Sequence, residues 1–332
     1  MRGETRLLAK AYVQWGLASV NLGDTVTALK QLQRADELHA TMGGDDLFIS
    51  VVSLWARSWY CFLADTPTSM LENALRAADV CRRTHRYAWE PMMTYSAAWA
   101  YMLMGRIAEG FQTARDTLEK AQRHNAVGAQ GWAYLVLAFL VIQQGHWDEA
   151  EEFADKAVAI AGMLHDVDLQ SRVLWSHSVS AGWQEKWERA IHYITEALQL
   201  VEKNGETSMV YPYLLLQAAK AHFQAGRFAS AQRYLDQSMQ LGQAQQYRQL
   251  PAIGQRVQGR ILHAQRHFEE AQPYFEQSLA GLAALGDTLE YARTEEAYGL
   301  FYYHRGQAGD EARGQALLDS ARATFARLGV KG

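Results

Sequence analysis

The sequence predicts an all-α chain wound as a right-handed superhelical solenoid of about eight antiparallel helix pairs. Three observations predict it. A small-residue signature recurs about every 40 residues, apolar residues between recurrences keep the helical period, and prolines and glycines stand where helices should begin or turn. The signature is a small residue with an aromatic or aliphatic residue three positions earlier and often Gly five earlier. Its small residues are Ala28, Ala74, Gly110, Ala150, Ala190, Ala231, Ala271 and Gly314, at spacings of 46, 36, 40, 40, 41, 40 and 43. Seven residues after each stands a second small or modest residue: Ala35, Cys81, Thr117, Ala157, Ala197, Ser238, Ser278 and Ala321. Glycine permits the tight turn, the bulky residue plugs it, and the paired small residues mark where helices cross closely.

The first unit, 5–43, turns at Gly23, with Asp24 near the start of its second helix and Leu7, Ala11 and Leu17 on its apolar face. The second, 46–86, has a degenerate signature, Ser69 to Ala74. The third, 88–126, opens at Pro91 and turns at Gly105-Arg106-Ile107. The fourth, 128–166, carries Gly145-His146-Trp147-Asp148-Glu149-Ala150, with Phe153, Ala157 and Ile160 on the helical period. The fifth, 168–205, turns at Glu185-Lys186-Trp187. The sixth, 208–246, opens at Pro212 and turns at Gly226-Arg227-Phe228. The seventh, 248–286, opens at Pro251 and turns at Arg266-His267-Phe268. Proline suits the first helical turn, whose N–H groups lack partners anyway, but Pro273 falls inside a second helix and predicts a kink or a late start there. The eighth unit, 288–329, has a degenerate signature at Gly309 to Gly314.

Composition excludes other classes. With 332 residues, 49% of them hydrophobic, and only 5 Pro, the chain is neither disordered nor collagen-like. Its longest apolar run, Trp132 to Ile142, falls far short of the ~20 residues of a membrane-spanning helix. No basic segment followed by an apolar one lies near Met1, so a cytoplasmic location is expected. A net charge of -4 argues against nucleic acid as the main partner. Cys61 and Cys81, alone in so long a chain, suit buried free thiols better than a disulfide framework or a zinc site.

The signature resembles the tetratricopeptide repeat family over essentially the whole chain. Tyr298-Gly299, Tyr302 and Gly306, and Gly226, Phe228, Ala231 and Leu235, match the family's Leu-Gly, Tyr, Gly, aromatic, Ala and aromatic positions. The unit departs in being about 40 rather than 34 residues long and in lacking a closing proline. Longer units of this kind resemble the repeat domains of MalT-like transcription activators and of repeat regions attached to adenylate cyclases and signalling ATPases. The resemblance implies a protein-, peptide- or small-effector-binding sensor region of a bacterial regulator. Such a region works beside an NTPase, cyclase or DNA-binding output domain that this sequence does not contain. The chain is therefore expected to be a free-standing adaptor or an excised module.

In such solenoids the first helix of each pair lines the concave surface. Offsets of 18, 15, 11 and 8 residues before each signature residue, enlarged by three in the second and eighth units, read out that face. Units three to six present Tyr95, Trp99, Trp132, Phe139, Arg172, Trp175, Tyr213, Lys220 and Phe223, with Trp183 adjacent. The seventh presents Arg256, Arg260 and His263, and the eighth Arg293, Glu296, Leu300 and Tyr303. An aromatic trough leading to arginines suits a ligand with an apolar body and an anionic end, such as an extended peptide with its carboxylate. The same aromatics serve equally as core if the superhelix winds tightly enough to press opposite first helices together. The arginines serve equally as partners of Glu296 and similar carboxylates. Both alternatives stay open at this level.

Chaperone-tail recognition by a Lys and Asn clamp, and gripping by an Asn ladder, are poorly supported, because the chain has four Asn only. No phosphate loop, nucleophile elbow or Cys-x-x-Cys is present, and the turn at Gln265-Arg266 separates His263 from His267, so neither metal nor cofactor is expected. The function expected is a non-catalytic binding scaffold. A nucleic-acid-binding helical repeat is the alternative, and an enzyme with an unrecognised site the second.

Overall fold

A computed structural model describes every residue except Met1, Asp45, Asp65, Glu206, Thr207 and Asp287, together with all described side chains except that of Arg2. The described residues form sixteen α-helices, paired in order: α1 (Arg2–Asn21) with α2 (Thr25–Thr41), α3 (Leu47–Ala64) with α4 (Pro67–Arg83), α5 (Glu90–Leu103) with α6 (Ile107–Arg123), and α7 (Val127–Gln144) with α8 (Trp147–Leu164). The second half continues with α9 (Val167–Trp183) and α10 (Trp187–Lys203), α11 (Tyr211–Gln224) and α12 (Phe228–Ala244), α13 (Gln249–Ala264) and α14 (Phe268–Leu285), and α15 (Thr288–Arg305) and α16 (Asp310–Leu328). This is an all-α helical-repeat solenoid.

The small residues of the signature are all buried, as are the eight that follow them by seven positions. At Gly314 a methyl group would stand 2.9 Å from the Gly299 carbonyl oxygen, so α15 and α16 meet backbone to backbone. The intra-pair turns need a left-handed residue five positions before the signature residue. Gly23, Gly105, Gly145, Gly226 and Gly309 supply it without strain, whereas Glu185 and Arg266 adopt φ of 59° and 63° at a cost of about 1–2 kcal/mol each.

Helix starts are chemically marked. Asp24 accepts from the Thr27 N–H at 2.9 Å and Asp166 from the Leu169 N–H at 3.0 Å. Pro91 and Pro212 sit in the first turns of α5 and α11, and Pro251 is the third residue of α13. The late start expected at Pro273 does not occur: α14 begins at Phe268 and runs through it. Pro273 and Glu269 both face solvent, so the Glu269 carbonyl that loses its intrahelical donor can bond water instead. The apolar face expected for α1 is also displaced. Leu7 is 70% exposed, and the inward residues are Ala9, Val13, Gly16 and Val20.

The winding is tight enough to return onto itself. Met209 donates its backbone N–H to the Asn21 carbonyl at 2.7 Å, Arg248 to Leu63 at 2.9 Å, and Lys331 to Gln143 at 2.7 Å. First helices thus face one another across the superhelical axis. Helices α3 and α7 are long and apolar enough to cross a membrane, but 56% and 72% of them lie buried inside the coil, as core helices do.

Candidate binding site

Inward-facing residues of the first helices divide into two regions. The first is filled by the chain itself. Trp99, 3% exposed, meets Phe139 at 5.2 Å between ring centroids, Phe62 at 6.4 Å, and Trp59 and Trp175 at 6.5 Å. Tyr95 stacks on Trp132 at 5.3 Å, and Tyr213 on Phe62, Trp175 and Tyr247 at 5.3, 6.2 and 5.9 Å. Tyr95, Trp132, Phe139 and Tyr213 are buried and Trp175 is half-buried. Arg172, 1% exposed, lies between the Trp59 and Trp132 rings at 5.4 and 5.1 Å and pairs with Asp168 at 3.0 Å.

Of this stack, Trp59, Phe62 and Tyr247 are absent from the residues expected on the concave face. The offset enlarged for unit two passed over Trp59, which stands 15 residues before Ala74, on the offset common to units three to seven.

The second region joins α7, α9, α11, α13 and α15. Arg256 donates through Nη1 to the Glu290 carbonyl at 2.9 Å and through Nη2 to the Glu290 carboxylate. Arg293 donates through Nη1 to the same carboxylate at 2.6 Å and through Nη2 to Gln143 Oε1 at 2.5 Å, while its guanidinium lies 5.4 Å from the Trp183 ring. Arg260 stands 4.8 Å over the Phe223 ring. Phe223, Arg256, Arg260, Arg293 and Trp183 are therefore brought to one end of the inner face, apart from the aromatic stack. The carboxylate that pairs the arginines is Glu290, not Glu296. Glu290 escaped sequence reading because it lies outside the four offsets sampled in unit eight.

Charges here are out of balance. Lys220, Arg256, Arg260 and Arg293 face Glu290 and Glu296, and only Arg256 and Arg293 form ion pairs with a carboxylate. Burial pushes the Lys220 amine down to about 8, against the pull of Glu290, and the Arg260 guanidinium down to about 10. Burial works against ionising Glu290, but Arg256, Arg293 and Lys220 outweigh it and hold the carboxyl far below the usual range.

Arg260 also borders a cleft of about 410 Å³, lined by Phe223, His263, Phe268, Leu300 and His304 among others. The Nε2 of His263 and the Nδ1 of His304 share a hydrogen bond at 2.9 Å. Burial, then His304 and Arg260, lowers His263 to about 4. His263 and His267 lie on opposite sides of the α13–α14 turn. Among the described residues no three His, Cys, Asp or Glu side chains gather as a metal site.

Residues 131–168, spanning α7, α8 and the turn after them, match the sequence profile of the tetratricopeptide repeat. No curated protein matches the chain. Solved structures match its fold. A Rap protein complexed with competence and sporulation factor superposes at a TM-score of 0.68 with 11% identity, over 95% of this chain and 87% of that one. The Rap conjugation gene regulator of plasmid pLS20, in complex with the Phr* peptide, gives 0.68 and 11% over 97% and 96%. A Signal Transduction ATPase with Numerous Domains from Pyrococcus horikoshii, which has a tetratricopeptide repeat sensor, gives 0.56 and 12% over 94% of this chain and 50% of that one. By its paired-helix unit, its buried small-residue positions and these superpositions, the chain is a tetratricopeptide-type helical-repeat solenoid.

Proposed function

We propose that the chain is a non-catalytic scaffold that receives a peptide or protein segment at the α11–α13–α15 end of its inner face, as the sensing part of a bacterial regulatory or signalling protein. One observation carries the reading. The aromatic half of the inner face is filled by the chain's own side chains, whereas the α11–α13–α15 end keeps a cleft of about 410 Å³ beside an excess of positive charge. An apolar wall of Phe223, Phe268 and Leu300 with a few polar groups is the usual make-up of a ligand pocket. Two solved structures of this fold carry in their names a bound factor or peptide, which agrees with the reading. The basic residues lie inside the coil and clamp a carboxylate, an arrangement unlike the continuous basic groove that tracks a nucleic-acid backbone.

Selection of a displayed random peptide library against the immobilised chain tests the proposal. Peptides that bind should lose at least about tenfold in affinity on Phe223→Ala or Leu300→Asp, about 1.4 kcal/mol. Failure to enrich any peptide sensitive to both substitutions would sink it.

A further inference from the structure

We infer that the interior beside Lys220 and Arg260 is a seat for a carboxylate group of the bound peptide, with Glu290 holding Arg256 and Arg293 around it as a fixed frame. The inference deepens the peptide-scaffold reading and rests on it.

Three features carry it. First, Glu290 is fully used by Arg256 and Arg293, so its charge does not serve the other two cations as an ion-pair partner. Lys220 and Arg260 form no hydrogen bond or ion pair with any described residue; Arg260 has only the Phe223 face, and Glu296 influences it from beyond ion-pair distance. Second, an unpaired charge inside a protein is costly, and two neighbouring ones of like sign cost more. A fold that needed only stability would place apolar side chains here. Third, Arg260 lines both this interior and the open cleft, so an anion has a route in.

The donor set favours a carboxylate over a phosphate. Lys220, Arg256, Arg260 and Arg293 all lie inside helices, where backbone N–H groups are spent on the helix itself. Phosphate sites draw on free backbone N–H groups at helix N-termini or glycine-rich loops, and none is offered here. Two carboxylate oxygens are matched by one ammonium and one edge of a guanidinium. The apolar cleft wall would hold the residues that precede the acid.

The experiment uses the full chain, with sodium succinate as carboxylate probe and inorganic phosphate as comparison, each set against sodium chloride at equal ionic strength. Succinate should raise the melting temperature at pH 7 and should do so much less at pH 9, where Lys220 has lost its proton. Lys220→Met should raise the melting temperature in chloride by about 2 °C, because it removes a buried unpaired charge, and should abolish the succinate effect. Arg260→Gln should also abolish it. A lower melting temperature for Lys220→Met, or a succinate effect unchanged by both substitutions, would overturn the inference. Stabilisation by phosphate with none by succinate would overturn the carboxylate assignment. The two readings fail separately. Selected peptides that bind Lys220→Met at full strength remove the carboxylate seat and leave the scaffold, whereas a Lys220-dependent succinate effect with no selectable peptide does the reverse.

Discussion

The backbone N–H of Lys331 donates to the carbonyl oxygen of Gln143 at 2.7 Å, joining the last residues of the chain to the end of α7. The side chain of the same glutamine accepts from Arg293 at 2.5 Å. Around this junction Val330 packs into the core, Lys331 Nζ lies 5.1 Å from the Trp147 ring, and the Leu328 side chain lies against Gly105. The coil is thereby closed on itself at two levels. Its closure decides which part of the inner face is filled.

Deletion of residues 329–332 tests this clasp. It removes one backbone hydrogen bond and the partial burial of Val330, together about 1–2 kcal/mol. Urea denaturation should show a loss of that size, and hydrogen exchange should quicken in the α7–α8 turn. An unchanged exchange rate there would show that the tail merely rests on the coil.

The central aromatics should behave as core. Trp99→Ala removes a ring in contact with Trp59, Phe62, Phe139 and Trp175 and should cost about 3–5 kcal/mol in chemical denaturation. Phe223→Ala, at the cleft wall, should cost clearly less. Equal stability of Trp99→Ala and the parent chain would mean that the aromatic interior opens in solution.

What the sequence discloses follows from what is periodic. Ala28 and Ala35, like their counterparts in every unit, must be small because two helices cross there, so packing writes the 40-residue unit directly into the chain. Whether Trp99 lines a groove or a core is not periodic information. It depends on how far the coil advances per unit, hence on long-range contacts such as Met209 with Asn21 that no single unit contains. Glu290 is hidden for the same reason. Its link to Arg256 joins two units whose registers are set by superhelical winding, and its place in unit eight lies off the regular offsets.

The Gly299–Gly314 crossing should tolerate no side chain. In Gly314→Ala the new methyl group would meet the Gly299 carbonyl oxygen at 2.9 Å and the Tyr303 ring at 3.0 Å, and a backbone atom cannot step aside as a side-chain tip can. A loss of about 1–3 kcal/mol is expected in spite of alanine's better helix propensity. Gly162→Ala in α8, where a methyl group meets nothing within 4 Å, provides the opposite sign and should stabilise slightly. If both substitutions stabilise, the two helices cross less closely than described.

The histidine pair sets a pH dependence whose sign can be worked out. His263 is held at about 4 in the folded chain against an ordinary 6.5, by burial first and then by His304 on α15 and Arg260 on α13. Between those values the unfolded chain binds a proton that the folded chain refuses, so the stability contribution, full above pH 6.5, is lost as pH falls toward 4. Water in the cleft screens a half-buried ring, which reduces the effect to about 1–2 kcal/mol. His177 and His222 are lowered by burial too, so the measurement is the difference between the parent chain and His263→Gln, not the parent alone. That difference should move in favour of the variant across pH 6.5 to 4 and stay flat above 7. Movement in favour of the parent would mean that the pair holds a proton between its two rings, and the cleft would then carry a positive charge at mildly acidic pH.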